Sequence, residues 1–346
     1  QRLGAKAGLQ FTQDRLKCRL GGELFLEQYQ WQTFETLAGQ PGSLLSNFEE
    51  LRRPVQLFSQ LAYDFAGGWG LEAGFSYNWL QYTVEDQVQG NAPESYAFAP
   101  NPSFFVGGKK SLGTDFHLYT ALGQGFSYPS LQETLLPEGT TNPDIRPEQA
   151  LDLDLGARAY LFNHRLFLDG SLFGIWTDEL LLTVQLVDGS SFGRNAGKTQ
   201  HLGAELQAQW ALVPTRLRVE VAATLGRYRF LEFEDNGTDF SGNQLPGAPA
   251  FISTSQLHYQ ATKHWTCRLQ HQFVSRQWLN DANTDAYGGY HLLHFDTQYT
   301  WAFKNEQRLV FSITLRNLTD TSYAPMLLTN ATGFGGNAPR YYYPGQ

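Results

Sequence analysis

Nowhere in these 346 residues do apolar side chains run on for the roughly 18 positions that a membrane-crossing helix needs. Cysteine is nearly absent. Cys18 and Cys267 stand alone, each in phase with apolar neighbours, so they read as small hydrophobes with no bridge between them. Positive charge is also short, with 25 Lys and Arg against 33 Asp and Glu and a net charge of -8. No basic run compensates, and a nucleic-acid partner is not expected. No glycine-rich cradle leads from a strand into a helix, which argues against nucleotide chemistry. No Ser-His-Asp constellation can be placed, so the chain does not read as an enzyme. The 8 His residues are scattered, and His291 and His294 fall on opposite strand faces, where they cannot share a metal. No cofactor is expected. The first ten residues are polar and form no leader, so the chain reads as a mature protein or a fragment.

What is present is aromatic and alternating. Phe, Tyr and Trp make up 14% of the chain, and Gly occurs 34 times. Leu151, Leu153, Leu155, Ala157, Ala159 and Leu161 alternate with Asp152, Asp154, Gly156, Arg158 and Tyr160, the two-residue period of a strand with one greasy and one polar face. The pattern predicts about fourteen strands, at 3–13, 15–30, 52–66, 70–85, 99–111, 114–127, 148–163, 165–178, 199–212, 216–230, 249–261, 264–278, 290–304 and 307–319. Most exceed the roughly 9–11 residues that a tilted strand needs to span a bilayer.

The connections alternate strictly. Short turns at 13–14, 66–69, 112–114, 163–164, 214–215, 262–263 and 305–306 are interleaved with long stretches at 31–51, 86–98, 128–147, 179–198, 231–248, 279–289 and from 320 onward. Membrane barrels have short periplasmic turns and long outer loops. The expected fold is therefore all-β, an antiparallel transmembrane barrel in a Gram-negative outer membrane, with residues 1–346 as one barrel domain. The strand at 307–319 runs outward with no strand returning, which predicts a domain incomplete at its C-terminus.

The loops and strand ends resemble those of TonB-dependent outer-membrane receptors of the ferric-siderophore type. Gly123–Leu131 (GQGFSYPSL) resembles the strand-to-loop "GFxxPSL", and Asn142–Glu148 (NPDIRPE) the "NPxLkPE" segment. Arg194–Thr199 with Gly203-Ala204-Glu205 is similar to "NxGxxxxxGxE", and Gly242–Pro249 to "GxxLPGxP". Arg316–Tyr323 resembles "NLfdkxY", and Arg340–Gly345 the return of the last loop. Six such elements in the family's order carry the likeness. It implies 22 strands around a plugged lumen, of which this chain would be the C-terminal part, with the plug and the TonB-contacting segment not recognisable here.

The resemblance implies uptake of a scarce, large solute, foremost a ferric siderophore or other iron complex. The implied partners are TonB through the plug, the ligand and outer-membrane lipid, around a monomeric barrel. Two other readings stay open: a passive porin-like or lipid-transporting channel, and a barrel enzyme of the outer membrane. Flat, anionic, aromatic chelates suit loop aromatics and arginines, which nominates Tyr128, Arg146, Arg194, Trp278 and Arg340 for ligand binding. Arg158, Glu205, Arg218, Glu220 and Arg268 alternate on polar strand faces and are expected to face the lumen and its plug. Rings at strand ends such as Trp69 and Tyr290 suit an interfacial girdle. The loop Asp281–Asp285 has calcium-like spacing but Ala286 where such loops need Gly, and reads as plain polar.

Overall fold

The computed structural model describes residues 1–37, 39–88, 90, 92–136, 140–185, 191–235, 237–303, 307–331 and 342–343. The turn at 305–306 and the candidate Arg340 lie outside the described residues. In chain order the strands are β1 (Arg2–Gln13), β2 (Leu16–Leu37), β3 (Gln40–Asp64), β4 (Trp69–Asp86), β5 (Glu94–Ala97), β6 (Asn101–Leu112) and β7 (Phe116–Ser127). The one-turn helix α1 (Leu131–Thr134) follows, then β8 (Glu148–Leu161), β9 (Leu166–Asp178), β10 (Leu181–Gln185), β11 (Ser191–Asn195), β12 (Lys198–Val213) and β13 (Leu217–Glu232). The rest are β14 (Glu234–Asp235), β15 (Thr238–Asp239), β16 (Phe251–Thr262), β17 (Trp265–Val274), β18 (Gln277–Trp278), β19 (Ala286–Tyr287), β20 (Tyr290–Ala302) and β21 (Arg308–Leu315). A last short pair joins Met326–Leu327 to Tyr342–Tyr343.

The hydrogen-bonded order is β1-β2-β3-β4-β6-β7-β8-β9-β12-β13-β16-β17-β20-β21, and β5 is added to β4. This is the meander that the short–long rhythm predicts, strand for strand. Several of the long stretches hold short strands, such as β5 within 86–98 and β10 and β11 within 179–198, and the first departs furthest. Residues 31–51, expected as a long loop, are mostly strand: β2 and β3 stay paired through Trp31↔Phe48 to Leu37↔Gln40. Trp31 stacks on Phe48 at 5.1 Å, so cross-strand contacts carry the ladder past the apolar stripe. Short turns place residues in the left-handed region, among them Asp14 (φ 48°), Gly113 (φ 80°) and Thr215 (φ 63°).

Two compact units divide the chain. The first comprises Gln1–Lys109, Ala121–Asp152 and Thr177–Gly197, the second Lys110–Thr120, Leu153–Trp176 and Lys198–Gln346. In the first, Leu80, Tyr82, Val84, Phe98, Leu135 and Ile145 form a buried cluster where loop residues pack on one face of β4. In the second, Phe230, Phe233, Val274, Leu279, Leu292 and Ala324 are buried. Neither unit covers its other face. Leu3, Leu9, Leu225 and Ile313 are 74, 77, 59 and 60% exposed, as a surface meant for lipid must be. Both cysteines are free.

Candidate loop cluster and lumen wall

In the first unit the described residues of the loop 128–147 are bound to strand walls. Tyr82 Oη donates to the Pro129 carbonyl at 2.9 Å, and Tyr96 Oη to the Ile145 carbonyl at 3.1 Å. Glu94 accepts from the Thr141 amide (2.9 Å) and hydroxyl (2.7 Å). Ile145 is 2% exposed and Pro129 is fully buried. Below them the Arg52 guanidinium lies 4.9 Å from the Tyr29 ring and 5.2 Å from that of Tyr82, and is ion-paired with buried Glu50. Arg52 thus meets a carboxylate and two ring faces, which offsets the cost of removing it from water.

Three ligand candidates fall in this unit. Tyr128 donates from its hydroxyl to the Asn78 carbonyl at 3.1 Å and packs on Phe98 and Phe126. Burial pushes its phenol up to about 12. Arg146 is exposed and reaches Glu179 at 3.4 Å. Its backbone is held from both sides by Asn195, which accepts from the Arg146 amide at 2.7 Å and donates to its carbonyl at 2.9 Å. Arg194 sits opposite Leu182 in the β10–β11 hairpin. Asn142, in turn, donates to the Gly193 carbonyl at 3.0 Å and accepts from the Asp144 amide at 3.0 Å. The NPDIRPE and RNAG segments therefore lock one another through asparagines. Sequence reasoning passed over Asn142, Asn195 and Glu94. Their signal was their place inside the motifs and in a long connection, where a side-chain amide or carboxylate must satisfy loop backbone.

In the second unit the loops are also stitched by asparagines. Asn243 donates to the Asp281 carbonyl at 2.8 Å, and Asn283 exchanges two bonds of 2.8 Å with Gln244. Trp278, the fourth candidate, donates to Gln244 Oε1 at 3.1 Å, and Arg276 lies 4.1 Å from its ring centroid. Asn280 is bonded to Thr284 and Asp285 within the same loop. Burial raises the Asp281 carboxyl above its ordinary range. In the NLTDTSY segment, Asn317 takes φ 51° and exchanges bonds of 3.1 and 3.0 Å with Thr321. Its amide donates to His294 at 3.0 Å, while His291 meets His271 on the other face at 3.0 Å.

The lumen candidates form ladders. The register aligns Arg218 with His258, His258 with Arg268, Arg268 with Asp296, and Asp296 with Thr314, one row across five strands. The next row aligns Glu220, Gln256, Gln270 and His294. Between them runs Val219, Leu257, Leu269, Phe295 and Leu315, on the opposite face. Asp296 is gripped by Arg268 at 2.9 Å and Thr314 at 2.8 Å, with Arg316 at 3.7 Å. Arg218 pairs with Glu220 at 2.7 Å, and His258 stands 3.6 Å from the same carboxylate. A cavity of about 620 Å³ opens against Arg218, His258, Arg268 and Asp296. Arg158 grips Asp169 at 2.9 and 2.5 Å, and Tyr119 donates to that carboxylate at 2.8 Å. Glu205 lies opposite Thr224 on the same polar face of β12 and β13.

On this polar face aromatic rings crowd glycines. The Tyr119 ring lies over Gly156 and the Phe173 ring over Gly203, so close that a methyl on either glycine would collide with it. In the first unit Phe25 covers Gly4 and Phe58 covers Gly21 in the same way. Glycine at these positions leaves room for the neighbouring ring on the polar face.

The model of the TonB dependent receptor-like β-barrel matches residues 3–318. Among solved structures, a ferric citrate transporter in the unliganded form matches with a TM-score of 0.77 at 18% identity, over 100% of this chain and 52% of its own. A copper transporter matches with a TM-score of 0.77 at 18% identity, over 99% and 54%. The ferric yersiniabactin uptake receptor from Yersinia pestis matches with a TM-score of 0.72 at 17% identity, over 97% and 50%. The chain spans about half the length of these structures, and at such identities the likeness is one of fold.

Proposed function

Because this chain belongs to the TonB-dependent receptor β-barrel family, a group of non-enzymatic outer-membrane transporters, we propose that it forms barrel wall for uptake of a ferric chelate. The polar face lines the lumen and holds a plug domain of the same protein. TonB pulls on that plug to release ligand captured by the loops. The observation that carries this reading is the row Arg218–His258–Arg268–Asp296–Thr314. Five consecutive strands keep charged or polar groups in line on one face, although exposed ion pairs stabilise a fold by only about 0–1 kcal/mol each. A wall that faced only water would have little need for such alignment. Residues 1–346 are taken as one barrel domain.

The loop candidates of each unit suit an anionic, aromatic ligand. Arg146 and Trp278 keep exposed or half-exposed side chains, whereas the Tyr128 hydroxyl is already committed to backbone. Arg194 and Arg340 remain candidates with them. The named relatives handle ferric citrate, ferric yersiniabactin and copper, and an iron chelate is the shared majority among those three.

Binding titrations on the full-length protein test the substrate. Quenching of tryptophan fluorescence is expected with a ferric catecholate or ferric citrate and not with cupric ion or cobalamin. Saturable binding of cobalamin or copper alone would overturn the ferric assignment. Steady ion conduction by the full-length protein in planar bilayers, with no TonB present, would instead favour a passive channel.

A further inference from the structure

We propose that the lipid-facing surface of β13 carries a site for the phosphate groups of outer-leaflet lipid, built from Arg227 and Arg229 with Gln200 beside them. The alternation in β13 puts Arg218 and Glu220 on the polar face and Leu217, Val219, Val221, Ala223 and Leu225 on the apolar one. The same parity puts Arg227 and Arg229 on the apolar face. Pairing with β12 is unbroken from Arg218↔Ala211 to Phe230↔Thr199, so no bulge turns them inward.

Their height decides what they meet. Trp210, opposite Val219 near the short-turn end, is 44% exposed and marks the lower girdle. Arg227 and Arg229 lie eight and ten residues beyond Val219. At about 3.3 Å per residue and a tilt near 40°, that is roughly 20 and 25 Å along the membrane normal. The apolar band of such barrels is about 25 Å tall, so both side chains reach its upper rim. Leu202, directly opposite Arg227, lies beside Trp176: a Cβ on Gly174 would be 3.1 Å from the leucine and 2.7 Å from the indole. A tryptophan at that level marks the interface independently of the counting.

Among the described residues no carboxylate pairs with either guanidinium. Arg229 gives Nε and Nη2 to Gln200 Oε1 at 3.0 and 2.8 Å, a neutral acceptor that orients the guanidinium and leaves Nη1 over. The Arg227 side chain is exposed and has no ion pair or hydrogen bond among the described residues. Glu232, the acid next along β13, pairs with Lys198 at 3.4 Å. Two guanidinium groups thus project at headgroup height from a chain whose net charge is -8. Guanidinium forks match phosphate oxygens in geometry and charge, and lipid headgroups are the phosphates found at that height. Such a site is independent of the imported solute.

Native mass spectrometry of the full-length protein tests it, with diphosphoryl lipid A and its dephosphorylated form as probes. Wild-type protein is expected to retain the phosphorylated lipid, and R227Q/R229Q to retain roughly tenfold less. K263Q, which removes a charge from a short turn, serves as control and should retain as much as wild type. R227K/R229K keeps the charge without the fork and should fall between, which preserves the test if the glutamine pair misfolds. Equal retention by wild type and R227Q/R229Q, or equal retention of both lipids by wild type, would overturn the proposal.

Discussion

The mouth of the first unit and the wall of the second use the same residue types to opposite ends. In the mouth, Glu94, Asn142, Asn195 and Tyr82 spend their polar atoms on loop backbone. In the wall, Arg218, Glu220, Arg268 and Asp296 spend theirs on each other and stay partly exposed. The first arrangement closes a structure. The second leaves its charged groups partly exposed on one face. The mouth groups should therefore govern stability and the wall groups activity, and substitutions can break that division.

The largest effect is expected at Ile145, which is 2% exposed among loop and strand residues. Ile145→Ala should loosen the docked loop by about 2–4 kcal/mol, the range for a truncated core aliphatic. Limited proteolysis would then cut within 128–147 while the strands stay protected. Asn142→Ala comes next, at about 1–3 kcal/mol, because the Gly193 carbonyl and Asp144 amide lose their partner. Gly156→Ala should cost about 1–3 kcal/mol by forcing the Tyr119 ring off the glycine and away from Asp169. Denaturant unfolding in detergent would read both. Arg268→Gln should shift stability by less than about 1 kcal/mol yet lower ferric-chelate uptake in cells. A large loss of stability with normal uptake would erase the contrast.

The smallest effect concerns pH. Asp281 binds its proton more tightly folded than unfolded, so its loop gains stability as pH falls through the raised pKa and loses it as pH rises. Hydrogen exchange in 279–289, corrected for intrinsic rates, should slow on going from neutral pH toward the carboxylate range. Asp281→Asn should abolish that dependence.

Strand positions and faces were legible because period-two alternation is a local signal that lipid and lumen enforce at every residue. That is why Arg218, Glu220 and Arg268 could be assigned to the polar strand faces from the sequence, and why His291 and His294 part to opposite faces. The β2–β3 extension was not legible, since Gln32, Thr33 and Ser46 lack apolar alternation and pair through polar and aromatic cross-strand contacts. The roles of Asn142 and Asn195 were hidden for a different reason. A loop motif names its residues but not the backbone 49 or 51 positions away that they bind.

One measurement bears most directly on the division between wall and lipid face. A photoreactive phenylalanine analogue at Gln256 and, separately, at Leu257 would probe neighbouring residues of β16 in the full-length protein in its membrane. Cross-links are expected from position 256 to plug peptides and from position 257 to lipid. Lipid adducts from position 256, or plug peptides from position 257, would contradict that division.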